Sequence, residues 1–159
     1  MDIKFTPACS EDIETIYYNA ISVYELFQPY MLHFEDFLFD IYNDIRNNLS
    51  DCRVIKHRGR KVAYYCLGEV DGCMELRHLY VEEAYRFKGI ATTIVRRCVS
   101  DTELPIKAKV HFANYEVQSL LSHNGFVQTK SSLDHIYDYV YKNNGTDKSC
   151  YADLMLLSL

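Results

Sequence analysis

The sequence predicts a single α/β (α+β) domain over residues 1–159, with a mostly antiparallel central sheet of six to seven strands flanked by about four helices. Three observations predict it. Two stripes of helical period occupy the first 50 residues. Three β-rich runs then follow one another, separated by Arg58-Gly59 and Asp71-Gly72. A strand–helix–strand unit over Met74–Phe112 adds one parallel crossover to the otherwise antiparallel order.

Ile3–Thr6 is a short strand ended by Pro7, and Ser10 stands as an N-cap with Glu11 and Asp12 in the first turn. Ile13, Ile16, Tyr17, Ala20, Ile21 and Tyr24 recur at steps of three and four, which makes one apolar helix face that Pro29 ends. Phe34, Phe37, Leu38, Ile41, Ile45 and Leu49 repeat the pattern; Glu35, Asp36, Asp40 and Asp44 occupy the other face.

Arg53–His57, Lys61–Leu67 and Met74–Val81 are rich in β-branched and aromatic residues and read as a meander joined by the two glycine turns. Gly89–Ser100 is a helix with Ile90, Ile94, Val95 and Cys98 on one face. Ile106–Phe112 alternates as a strand does. Asn114 caps a short helix bearing Val117, Leu120 and Leu121, which Asn124-Gly125 ends. Phe126–Ser132 and Tyr151–Leu159 are the last strands, and residues 133–149 read as a loop or partial strand.

A chain of 159 residues is long enough for a real core. It carries neither a bilayer-spanning apolar run nor a secretory-type N-terminus, so cytoplasmic residence is expected, with no membrane partner. The six cysteines form no C-x-x-C pair and lie at no zinc-finger spacing from a histidine; reduced thiols and no metal are expected. The net charge of −5 is uneven: residues 1–51 hold two basic and ten acidic residues, whereas residues 52–99 hold ten basic and five acidic ones. An acidic first third beside a basic middle fits two ligands of opposite charge. No basic stretch interleaved with aromatics is present, so no nucleic-acid partner is expected.

The basic middle contains the most informative segment. After the strand ending at Val81 come Arg86-Phe87-Lys88-Gly89-Ile90-Ala91-Thr92, with a helix starting just past the glycine. The first turn of a helix leaves backbone N–H groups without intrahelical partners at the positive end of the dipole, which suits a phosphate. Gly89 and Ala91 keep side chains out of the way, Arg86 and Lys88 add charge, and Thr92 adds a hydroxyl donor.

This segment resembles the cofactor motif [QR]-x-x-G-x-[GA] of the GCN5-related N-acetyltransferases (GNAT). A second family-like segment follows in the right order, Asn114-Tyr115-Glu116-Val117-Gln118-Ser119-Leu120-Leu121-Ser122-His123-Asn124-Gly125-Phe126. The resemblance spans roughly residues 52–132. It implies a GNAT-like fold and an N-acetyltransferase that uses acetyl-CoA as co-substrate. The turn from Arg86 through Phe87, Lys88, Gly89, Ile90 and Ala91 to Thr92, together with Asn114, would hold the cofactor. The backbone of Leu79, Tyr80 and Val81 would pair with its pantetheine arm as an added strand, with the Leu79 N–H facing the thioester carbonyl.

An amine that attacks a thioester must first lose a proton. Glu75, eleven residues before Arg86, matches the glutamate base of one branch of the family. Arg77 is the nearest prospective ion-pair partner for Glu75. His78 is the rival base, on the opposite face of a regular strand from Glu75. The family's proton-returning tyrosine is absent, because the matching position is Leu121; proton return to the thiolate would fall to the adjacent Ser122, about 100° round the helix, to water, or to no specific group. This departure keeps a second reading open, a non-catalytic acyl-CoA-binding or sensor module of the same fold. Residues 25–51 would form the acceptor wall, and their wealth of Asp, Glu, Tyr and Phe suits a cationic amine. Candidates are a polyamine, a lysine side chain, an amino sugar or a peptide N-terminus. Oligomeric state is not legible in the sequence, although homodimers are common in the family.

Overall fold

The structure, a computed structural model, describes residues 1–129 and 136–143. In chain order its elements are β1 (Ile3–Pro7), α1 (Ile13–Glu25), α2 (Phe34–Asn47), β2 (Cys52–His57), β3 (Arg60–Val70), β4 (Cys73–Val81), α3 (Ile90–Asp101), β5 (Ile106–His111), α4 (Tyr115–His123), β6 (Val127–Thr129) and β7 (Ile136–Tyr141). The strands form one seven-stranded sheet in the order β1-β2-β3-β4-β5-β7-β6. Recorded pairings are antiparallel except β4–β5, which is parallel, as the strand–helix–strand reading requires. The two hairpin turns are built as expected: Arg58 and Gly59 have φ of 50° and 78°, and Asp71 and Gly72 have 51° and 80°. Two consecutive positive φ values give the turn whose twist matches that of the flanking strands.

The chain clusters into two compact units, one of residues 1–66 and 78–90, the other of residues 67–77 and 91 onward. The first unit has its own core. Ile16 and Ala20 of α1 and Ile41 and Ile45 of α2 pack with Cys52, Val54, Tyr64 and Cys66 of β2 and β3. These helical residues are members of the two stripes read from sequence, so burial of one face is what fixes α1 and α2. Buried residues of the second unit include Ile94, Val95 and Cys98 on α3, alternate residues Ile106, Ala108 and Val110 on β5, and Leu121 on α4. Burial pushes the Cys98 thiol up to about 12, which keeps it protonated and removes it as a nucleophile.

Two local expectations are corrected, and the alternative left open at 133–149 is resolved in favour of a strand. Ser10 does not cap α1; it opens a short 3-10 turn, Ser10–Asp12, and the Asp12 carboxylate turns back to accept the Cys9 N–H at 2.9 Å. The stretch 133–149 contains a full strand, β7, whose Ile-Tyr-Asp-Tyr-Val-Tyr run takes its partners from β5 and β6. Cys52 and Cys66 are not free thiols: the β2–β3 register sets them opposite each other and they are joined as a disulfide. Cross-strand register is a long-range property, invisible in the spacing of 14 residues. The expected strand Tyr151–Leu159 lies outside the described residues.

Asp12 is 3 % exposed and also takes the ammonium of Lys61. Burial alone would raise its carboxyl; the Cys9 N–H and Lys61 outweigh burial and hold it below the usual carboxylate range. A carboxylate with a lowered folded-state pKa contributes stability above its unfolded value, near 4, and loses it as pH falls through the folded value. Asp12→Asn is therefore expected to cost about 1–3 kcal/mol at neutral pH and clearly less near pH 3. Urea midpoints at the two pH values check this; an equal loss at both would show that ionisation of Asp12 contributes nothing.

Candidate active site

The segment from β4 to α3 is shaped by a run of backbone hydrogen bonds. Glu82 N–H donates to Val62 C=O, and Tyr85 N–H and Arg86 N–H donate to Glu82 and Glu83 C=O, which closes a 3-10 turn at Glu83–Tyr85. The chain then passes through Phe87 at φ 59° and Gly89 at φ 84° before α3 begins at Ile90. Phe87 is 93 % exposed, whereas Ile90 is buried and anchors the start of the helix. A Cβ built on Gly89 would meet no atom within 4 Å, so the space before it is open. Ala91 and Thr92 follow in the first turn of α3, both half-buried.

Three cations border this turn. Lys88 Nζ lies 5.5 Å and Arg60 Cζ 5.7 Å from the centre of the Tyr85 ring. Arg86 stacks over Tyr80 at 5.4 Å and donates Nε–H to the Val81 carbonyl at 2.9 Å. Arg86 is therefore engaged with the end of β4, while Lys88 and Arg60 both lie against the Tyr85 ring. Arg60 also lies 3.6 Å from Glu82. Sequence reading missed Arg60, because nothing in an arginine after a hairpin turn signals that it faces a segment 25 residues later.

Leu79, Tyr80 and Val81 form the last three residues of β4, all half-buried. The parallel pairing with β5 is recorded at Met74–Ile106 and Glu75–Lys107. Beyond it, His78 sits at φ 54°, a left-handed conformation inside a strand. Such a residue breaks the pleat, so the alternation that predicted opposite faces for Glu75 and His78 does not run through this point. The two residues have different partners. Glu75 Oε2 lies 3.7 Å from Lys107 Nζ on β5, not against Arg77, whose guanidinium reaches the Glu75 carbonyl at 3.4 Å. The His78 ring is 6 % exposed, and its Nε2 lies 2.7 Å from Asp44 Oδ2 on α2.

In the second unit, Asn114 Oδ1 accepts the Val117 N–H at 3.4 Å and so caps α4. Gln118 Nε2 donates to the carbonyls of His111 and Phe112 at 3.2 and 2.8 Å, which binds α4 to the end of β5. Leu121 is completely buried. Ser122 is exposed. The Tyr139 hydroxyl donates to Gln118 Oε1 at 3.2 Å and is raised above its ordinary value by burial. No helix among the described residues is long and apolar enough to cross a membrane.

The family pattern described as "Acetyltransferase (GNAT) family" matches residues 20–126. The search of curated proteins returns no match. Solved structures match too, and the three named next do so over most of their length. A GNAT-family acetyltransferase from Streptococcus agalactiae is 14 % identical, with a TM-score of 0.72 over 89 % of this chain and 96 % of that one. One from Staphylococcus aureus is 18 % identical, with a TM-score of 0.70 over 89 % and 99 %. The PaiA N-acetyltransferase of Thermoplasma acidophilum, in complex with coenzyme A, is 19 % identical, with a TM-score of 0.64 over 89 % and 99 %. At such identities the likeness is one of fold, and the family assignment rests on the pattern, which covers two thirds of the sequence and includes both segments described above. The chain belongs to the acetyltransferase (GNAT) family.

Proposed function

We propose that the chain transfers an acetyl group from acetyl-CoA to a primary amine of a small molecule or peptide, by direct attack and without an acyl-enzyme. The observation that carries this reading is the open turn at Gly89, set at the start of α3 and bordered by Lys88 and Arg60. Backbone N–H groups of the first turn of α3 would take the pyrophosphate. The backbone of Leu79, Tyr80 and Val81 would hold the pantetheine arm, with the Leu79 N–H directed at the thioester oxygen, where charge develops. Thr92 adds a hydroxyl near the phosphates. Asn114 would act through its cap, by fixing the start of α4. Glu75 and His78 are the two residues of β4 that could receive the amine's proton. Departure of coenzyme A needs no dedicated donor, since a thiolate leaves readily, and water can protonate it where Leu121 cannot. The acidic outer face of α2 favours a cationic acceptor.

The buried Leu121 at the family's tyrosine position favours a second reading, a module that binds acyl-CoA without turnover. One experiment separates them: coenzyme A binding by calorimetry, paired with thiol release from acetyl-CoA in the presence of spermidine, a lysine ester, glucosamine and a short peptide. Binding with amine-dependent thiol release is expected. Binding with no release for any amine would leave the sensor reading; absence of binding at millimolar ligand would remove both.

A further inference from the structure

The His78 side chain combines three features that ordinary packing does not call for. It is a non-glycine residue at φ 54° inside a strand. It is more than nine-tenths buried, with Nε2 2.7 Å from Asp44 Oδ2. Its other nitrogen, Nδ1, is buried with no hydrogen-bond partner. Asp44 is held in turn, because Asn48 Nδ2 donates to Asp44 Oδ1 at 3.0 Å.

The chemistry fixes the tautomer. An ionised carboxylate only accepts, so Nε2 must carry the hydrogen that Asp44 receives. In the neutral ring Nδ1 then carries the lone pair. A buried acceptor without a donor is an unmet demand, and a bound molecule with an N–H, or a water between them, meets it. The strained backbone points the same way, since such conformations persist where the surroundings over-determine them. Glu75, the other candidate, already faces the ammonium of Lys107.

We infer that His78 Nδ1 is the base that takes a proton from the acceptor's ammonium group, and that Asp44, steadied by Asn48, is its positioning residue. This rests on the acetyl-transfer reading above. Directly or through one water, R–NH3+ gives one proton to Nδ1. The freed lone pair attacks the thioester carbon, a C–N bond forms, and the C–S bond breaks with its electrons on sulfur. One of the two remaining amine protons passes through water to the thiolate, giving the amide and free thiol. The imidazolium then returns its proton to solvent.

The test uses the full chain, acetyl-CoA and the most reactive amine of the four probes named above. His78→Asn retains a residue type that tolerates positive φ but removes the base. It is expected to lower kcat by about 100-fold or more while leaving the Kd for coenzyme A unchanged. His78→Gly relaxes the backbone and leaves room for free imidazole, which is expected to restore at least about a tenth of the lost rate. Asp44→Asn, which no longer fixes the tautomer, is expected to lower kcat by about tenfold or more with KM for acetyl-CoA unchanged. If His78→Asn retains its rate, if Glu75→Gln carries the loss, or if imidazole restores nothing to His78→Gly, the base assignment is overturned and acetyl transfer stands. Wild-type protein that binds coenzyme A yet releases no thiol with any probe overturns both.

Discussion

Gly89→Glu is expected to weaken coenzyme A binding by about two to three orders of magnitude. Gly89 sits at φ 84°, where an L-residue pays roughly 1 kcal/mol. The effect on binding is electrostatic. A carboxylate about 5 Å from a phosphate charge, in the effective dielectric of a protein surface, is repelled by about 3 kcal/mol. The repulsion corresponds to a factor of a few hundred, at about 3 kcal/mol, in Kd, whereas the backbone penalty is present with or without ligand and lowers stability. Gly89→Ala separates the two contributions: its Cβ meets no atom within 4 Å, so it is expected to lose about 1 kcal/mol of stability and to keep its affinity. Calorimetric titration with coenzyme A measures both variants. Equal affinities for Gly89→Glu and the wild type would show that no phosphate approaches this turn.

Ile45→Ala has the largest expected effect on stability, about 2–5 kcal/mol, because Ile45 is completely buried in the core shared by α1, α2, β2 and β3. The loss reaches toward the site as well. Asp44 precedes Ile45 on α2, so the seating of Ile45, with Ile41 one turn earlier, sets where the Asp44 carboxylate meets His78. Urea unfolding measures the stability term, and Ile45→Val should lose about 0.5–1.5 kcal/mol in the same assay. A loss under about 1 kcal/mol for Ile45→Ala would mean that α2 is held by something other than its apolar face.

The elements whose cause is local were legible. The stripes that bury Ile16, Ala20, Ile41 and Ile45 are visible as spacing, and the two hairpins are visible as Arg58-Gly59 and Asp71-Gly72. Strand β7 was not, because its alternate tyrosines and Asp138 take their meaning from pairing with β5, a partner that lies far off in sequence. Ser10 misled for a local reason: the N-cap falls one residue earlier, at Cys9, whose amide the Asp12 carboxylate holds.

The glycine turn into α3 was legible from sequence, since a helix start and a glycine are local properties of residues 86–92. The sequence by itself thus determined the α/β class, the helices and hairpins, and the glycine turn that opens α3. What only the tertiary structure decided is which side chains meet: Glu75 with Lys107, His78 with Asp44 across 34 residues, and Arg60 and Lys88 on the ring of Tyr85. Backbone conformation is governed by neighbours a few residues away, whereas the partner of a charged or titratable group is whatever the fold carries to it, and that has no period to read.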